Sequence, residues 1–195
     1  DEKFPSLEEL NLKFTNDVDI FYRKLNKNLG YAQNFFSALN NLNYEFDYYC
    51  FADQDDIWEI EKTNRAINNL KKFNSNDASL YFARTAYFNE NCTARIGESN
   101  LFTKKPSFKN AIIQNMAGGN TMVFNKKAKK IICDSISGIK YISHDWWVYQ
   151  IISGAGGNMY YDKKPHVRYR QHFNNLLGSN NTFKDRYIRL KKLLK

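Results

Sequence analysis

Residues 44–58 read YEFDYYCFADQDDIW. The first nine, 44–52, are aromatic-rich and turn almost wholly apolar, the pattern of a buried strand. They run directly into Asp53, Asp55 and Asp56, three carboxylates within four residues. The carboxylates should therefore lie at the carboxyl edge of that strand, where open α/β sheets bind ligands. In extended chain Asp53 and Asp55 point to the same side. Carboxylates so close repel one another unless something positive neutralises them. Hard oxygen ligands suit Mg²⁺ or Mn²⁺, ions that bridge to substrate phosphates more often than they fill a protein cage. A helix N-terminus also suits the same residues, with Asp55 or Asp56 capping a helix that starts near Ile57.

Working outward, strands alternate with helices. Residues 6–14 predict a helix with Ser6 as cap, and residues 18–22 (VDIFY) a short strand. Apolar residues at Tyr31, Phe35, Ala38, Leu39 and Leu42 have helical spacing. A second helix is expected after the acidic cluster, with Ile60, Ile67, Leu70 and Phe73 on one side. Residues 80–88 predict a strand, and 107–116 a helix capped by Ser107. Gly118 and Gly119 precede a strand at 120–124, and a lysine-rich helix covers 126–134. Ser143 caps a helix that carries Trp146 and Trp147 and ends at Gly154. Two short strands flank Pro165, and a helix begins at Phe183. This order predicts an α/β domain with a mostly parallel sheet.

Composition narrows the function classes. The chain has 195 residues, 43% hydrophobic and 16% aromatic, enough for a core and unlike a disordered chain. No apolar run approaches the ~18–20 residues that cross a bilayer. Asp1-Glu2-Lys3 is unlike a signal peptide. Cys50, Cys92 and Cys133 are few and far apart, so neither a disulfide scaffold nor a cysteine zinc site is expected, and a cytoplasmic location fits. The net charge of +9 is uneven: residues 1–70 carry 13 acidic and 7 basic side chains, residues 71–195 carry 7 and 22. The second part is thus suited to meeting an anion, or equally to serving as a solubilising lysine-rich surface. Nucleic acid is not the expected partner, because no groove-reading or base-stacking motif accompanies the charge.

FADQDDIW resembles the D-x-D region of the inverting glycosyltransferases of family 2, in their bacterial rhamnosyltransferase-like branch. Four further stretches agree with that family, in its order: Asn28-Leu29-Gly30 with Asn34-Phe35; Gly119 to Phe124 (GNTMVF); Ser143-His144-Asp145-Trp146-Trp147; and Tyr169-Arg170-Gln171-His172 followed by Asn174-Asn175. The resemblance covers about residues 26–175. It implies a GT-A fold, a Rossmann-like mixed and mostly parallel sheet flanked by helices, over residues 1–182. It also implies a nucleotide-sugar donor, dTDP- or UDP-linked with rhamnose as the branch-level sugar, a divalent metal (Mn²⁺ or Mg²⁺) and inversion at the anomeric carbon. The acceptor would be a saccharide or a lipid-linked saccharide in bacterial surface-polysaccharide synthesis. The family domain opens with a strand ending in a Thr/Ser-x-Asn turn, then a helix and a strand ending in a D-D-G-S-like turn. This chain has neither, so it is expected to begin within the domain and without the base-recognition residues.

The family pattern assigns roles residue by residue. It implies Asp55 as the main metal ligand, Asp53 near the metal or the donor ribose, Asp56 as a structural carboxylate, and His172 as a metal or diphosphate contact. Asp145 is the implied general base on the acceptor hydroxyl. Its other reading is a first-turn helix acid. Donor or substrate contacts are expected at Asn28, Gly30, Asn34, Trp58, Gly119, Asn120, His144, Trp146, Arg170 and Gln171, Arg170 offering a charged fork for phosphate. Residues 183–195 (FKDRYIRLKKLLK) form a basic amphipathic stripe, suited to anionic lipid at the inner membrane face or to packing on the domain. A scaffold of the same fold without catalysis, or a nucleotide-sugar hydrolase, would show the same features.

Overall fold

The computed structural model describes residues 19–137 and 143–172. The expected helices at 6–14 and from 183 lie outside the described residues. The chain divides into two compact units, Asp1–Gly30 and Tyr31–Lys195.

In the first unit the strand expected at 18–22 does not form over its described part, residues 19–22. Phe21 and Tyr22 stay 58% and 59% exposed, and no described strand of that unit pairs with them. A lone extended segment has no ladder to complete. The Asn28 side chain accepts a hydrogen bond from the Gly30 amide at 2.8 Å, and Gly30 sits at φ +76°, a turn that favours glycine.

The second unit starts with helix α1 (Tyr31–Asn40), which buries Ala32, Phe36 and Leu39. Strand β1 (Tyr48–Cys50) follows, then β2 (Ile57–Trp58) and helix α2 (Lys62–Leu70). Next come β3 (Ser79–Ala83), β4 (Ala86–Phe88), β5 (Arg95–Glu98) and helix α3 (Phe108–Ile113). A 3-10 turn (Gly119–Thr121) leads to β6 (Val123–Asn125) and α4 (Lys126–Ser135). Helix α5 (His144–Gly154), β7 (Asn158–Asp162) and β8 (Val167–Arg170) complete the unit.

The strands form two four-stranded sheets, ordered β1-β6-β3-β7 and β2-β8-β4-β5. The expected mostly parallel sheet is corrected here: only β3–β7 and β4–β8 are parallel, and the other four pairings are antiparallel. The connections account for it. The β4–β5 link is a short hairpin whose Asn89 carboxamide oxygen accepts from the amides of Thr93 and Ala94, and so short a link permits only an antiparallel neighbour. Strand β6 enters between β1 and β3, antiparallel to both.

Other expectations change for physical reasons. The run at 80–88 is two strands, one in each sheet, broken at Arg84 and Thr85. The strand expected over 44–52 shrinks to β1, at an edge of its sheet, with Tyr49 buried but Tyr44 and Phe46 about half exposed. No helix starts at Ile57. The chain instead pairs Trp58 with Val167, and α2 begins four residues later. Ile60 is 93% exposed, while α2 buries Lys62, Ala66, Asn69 and Leu70. Residues 119–121 form a turn rather than the start of a strand. Ser107 caps α3 as expected, its hydroxyl accepting from the Asn110 amide at 3.2 Å, and the strands beside Pro165 are β7 and β8.

Strand β3 divides the core. Leu80 and Phe82 face Phe36, Met122, Phe124, Ile132, Val148 and Ile152, from α1, α4, α5 and their neighbours. Tyr81 and Ala83 face Ala66 and Leu70 of α2. This alternation is what a strand covered by helices on both faces requires.

At the step from one sheet to the other, the Arg84 amide donates to the Asp162 carbonyl at 3.0 Å. The buried Asp162 carboxylate accepts from Arg65 at 2.5 Å, from the Tyr81 hydroxyl at 2.9 Å and from the Lys164 amide at 3.0 Å. Burial raises the carboxyl pKa, but these bonds more than offset it and hold the group below its ordinary value. Replacing Asp162 by Ala leaves a buried phenol and a guanidinium unpartnered, at a cost of about 2–3 kcal/mol in urea unfolding. A group with a lowered native pKa stabilises above its unfolded value near 4 and loses that contribution as the pH falls through the native value. The wild-type advantage over Asp162→Ala should therefore be full at pH 7 and shrink below about pH 4.

Candidate active site

The loop between β1 and β2 crosses from one sheet to the other and carries the three aspartates. Asp56 is held from two sides. Its carboxylate accepts from the Asn120 side-chain amide at 2.5 Å and from the Arg170 backbone amide at 3.4 Å. Arg170, the last residue of β8, donates its Nε to the Asp55 carbonyl at 2.9 Å and a terminal nitrogen to the Glu90 carbonyl at 2.7 Å. The guanidinium thus ties the loop to the β4–β5 hairpin. Two residues on, the His172 ring meets an Asp55 carboxylate oxygen at 2.9 Å. Asp56 is therefore the structural carboxylate of the three, and Asp55 the one paired with an imidazole.

Asp145 comes from the first turn of α5. One of its carboxylate oxygens accepts from the Gly119 amide at 3.2 Å, the other from the Trp146 amide at 2.7 Å. The Ser143 side chain makes no capping bond. Asp53 lies among these groups. Burial, then the charges of Asp55 and Asp145, push its pKa up to about 6. Asp56 is also pushed up to about 6, by burial first, against the bond from Asn120. The structure thus brings Asp53, Asp55, Asp56, Gly119, Asn120, Asp145, Arg170 and His172 together from four separate segments.

Other expected residues sit elsewhere. His144 is 5% exposed and does not line the site. Its ring lies among Tyr31, Phe35, Phe36 and Phe51, with centroids 4.3–6.4 Å away, and neither ring nitrogen has a partner. Burial holds its pKa down, so the imidazole is neutral. It acts from beneath, through Gly119: a Cβ at position 119 would lie 2.4 Å from the ring Nε2, so only glycine lets the 3-10 turn close over the ring and reach Asp145. Trp146 donates its indole N–H to the Ala111 carbonyl at 2.6 Å, and Trp147 donates to the Ser135 hydroxyl at 3.0 Å. Both indoles are half-buried and bonded to the protein. Gln171 pairs its backbone amide with Phe88, and its side-chain nitrogen is buried without a partner. Asn34 lies on the exposed side of α1. Asn28 and Gly30 belong to the first unit and are described only within it.

Sequence reasoning missed Lys62. Its ammonium lies 3.4 Å from the centroid of the Trp58 ring, is 2% exposed and has no hydrogen-bond partner. The only trace in the sequence is a Trp and a Lys four residues apart. That spacing reads as one helix face, whereas the contact forms across the corner between β2 and α2. A shallow polar depression lined by Glu61, Arg65, Asn68, Lys72 and Tyr160 opens on α2 and involves none of Asp53, Asp55, Asp56 and Asp145.

The chain is 33% identical, over 192 residues and 94% of its length, to the dTDP-rhamnosyl transferase RfbG of Shigella flexneri. It spans 63% of that relative, just under two thirds. No family model matches the chain.

Lys62 yields a pH-dependent expectation. Burial lowers its pKa to about 8, against the pull of Cys50 and Asp56. A lysine with a lowered native pKa destabilises fully below that value, and the penalty lifts as the pH rises towards the unfolded value. Lys62→Met should therefore be the more stable form at pH 7, by about 1–2 kcal/mol after loss of the contact with Trp58. Urea unfolding of both proteins at pH 7 and pH 10 should show that gap closing. An unchanged gap would mean that the ammonium carries no burial penalty.

Proposed function

We propose that the chain is the catalytic part of a metal-dependent, inverting glycosyltransferase of the family 2, GT-A type. It would move a sugar, with rhamnose from its dTDP donor the first candidate, to a saccharide or lipid-linked acceptor in bacterial surface-polysaccharide synthesis. The observation that carries this reading is the meeting of Asp145 with the Asp53–Asp56 loop in a chain one-third identical to a dTDP-rhamnosyl transferase. An inverting transfer needs one base on the acceptor hydroxyl and, apart from it, a site for the leaving diphosphate. Two acidic groups from different segments supply that division.

Asp145 is suited to the base. Two backbone amides fix its carboxylate, from Gly119 and Trp146, and leave further lone pairs for an acceptor proton. The amide bonds orient the group without protonating it. Asp53, Asp55 and His172 offer oxygen and nitrogen donors of the kind that bind Mn²⁺ or Mg²⁺. Burial, and after it the charges of Asp55 and Asp145, disfavour the Asp53 carboxylate, and a cation would offset both. Among the described residues no three His, Cys, Asp or Glu side chains group closely enough to hold a metal by themselves. Their hard donors and crowded negative charge suit a cation that would take its remaining ligands from a diphosphate. Such an ion, when bound, neutralises charge on the leaving nucleotide.

Two substitutions in the full-length protein test this reading. Asp145→Asn keeps the shape of the side chain and an oxygen for one of the two amide contacts but cannot take a proton. It should leave the fold and the donor Kd unchanged and lower transfer by about 10²–10⁴-fold. Turnover and donor binding measured on one preparation decide the matter: near-normal transfer removes Asp145 from the mechanism. Donor turnover without acceptor would instead point to a hydrolase.

Asp55→Ala bears on the metal. Calorimetry with dTDP or UDP should show tight binding only with Mn²⁺ or Mg²⁺, and only in the wild type. Binding that resists both a chelator and this substitution would contradict the assignment.

A further inference from the structure

Residues 101–113 read LFTKKPSFKNAII and end in α3. One side of α3 is fastened to α5. The Ala111 carbonyl accepts from the Trp146 indole at 2.6 Å and from the Gln150 side chain at 3.2 Å. The Tyr149 hydroxyl donates to the Asn110 side chain at 2.9 Å and accepts from the Ser107 amide at 3.2 Å. The opposite side is apolar and open. Ile113 is 81% exposed and Ile112 57%, and Leu101 upstream is 51% exposed; Phe108, 47% exposed, lays one side of its ring near Gly154 of α5. Lys104, Lys105 and Lys109 stand among them, all exposed. Lys109, Ile112 and Ile113 share one helix face, by their spacing of three and four. No Asp or Glu occurs anywhere in residues 99–133.

Single exposed apolar side chains are ordinary. Here four large ones fall within thirteen residues, interleaved with three lysines, on an element whose polar contacts all point inward. A second copy of the chain is a poor occupant, because a two-fold interface would set this lysine group against itself. An anionic bilayer fits both features. Isoleucine, leucine and phenylalanine enter the boundary between headgroups and acyl chains, while lysines lay their stems alongside and keep the ammonium among the phosphates.

We propose that the face formed by Leu101, Lys104, Lys105, Lys109, Ile112 and Ile113 docks the protein on an anionic lipid surface. This deepens the transferase reading and rests on it for its purpose. Helix α3 is bonded to α5, whose first turn carries Asp145, so the docked face and the base share one rigid support. An acceptor attached to a lipid would then meet the base from the bilayer side.

The test uses the full chain and sedimentation with vesicles of phosphatidylcholine, with and without one third phosphatidylglycerol. Wild type should partition into the anionic vesicles, not the neutral ones, and less so at 0.5 M salt. Ile112→Glu with Ile113→Glu changes only exposed side chains and should keep the circular dichroism and thermal midpoint while lowering partition about tenfold or more. Lys104→Gln with Lys105→Gln should give a smaller loss. Undiminished partition of the double Glu variant overturns the proposal, as does wild-type partition that is lost entirely on neutralising Lys191, Lys192 and Lys195. A dimer in vesicle-free sedimentation that the double Glu variant dissolves would make the face a self-interface and also overturn it. No donor or acceptor enters the assay, so its failure leaves the transferase reading standing. Failure of Asp145→Asn to lower transfer would leave the docking result standing.

Discussion

The two sheets are joined where β3 passes into β4 beside β7 passing into β8, and Asp162 holds that step. Its carbonyl takes the Arg84 amide, and its carboxylate takes Tyr81 from β3, Arg65 from α2 and the amide of Lys164. A buried carboxylate with this many donors is a rigid joint, because each donor left alone would be costly in a water-free interior. The joint fixes where β8 can run. Only with β8 beside β4 does Arg170 reach both the Asp55 carbonyl and the β4–β5 hairpin, and only then does His172 arrive at the Asp55 carboxylate.

The site that results is acidic in its middle and braced by backbone at its edges. Asp145 accepts two main-chain amides, and Asp56 one main-chain and one side-chain amide, so backbone and carboxamide groups position both. Asp53, part of the loop, has its charge disfavoured by burial and by the charges of Asp55 and Asp145. Negative charges crowded in this way repel one another. The neutral, unpartnered His144 below has a complementary part. Its ring and the missing side chain at Gly119 set the height at which the 3-10 turn meets Asp145.

Much of this was legible in the chain. The capped helix at Ser107, the helix from 126, the helix carrying Trp146 and Trp147 and the strands around Pro165 follow from local caps, turn residues and apolar period, which act over a few residues. The acidic run after an aromatic strand, and Asp145 at a helix start, likewise stand out in one dimension. What the sequence determined alone was therefore the local elements and the set of acidic side chains.

Tertiary structure decided the rest. The parallel or antiparallel sense of each pairing, the split of 80–88 between two sheets and the edge position of β1 depend on partners distant in sequence. So do the partners of the three neighbouring aspartates: Asn120 and Arg170, 64 and 114 residues away, bond to Asp56, and His172, 117 residues away, meets Asp55. Lys62 beside Trp58, and His144 beneath Gly119, left no periodic trace, since each contact forms across a corner and not along one element. Hydrogen-bond partners and burial set which carboxylate ties the loop to other elements, and both are properties of the folded chain.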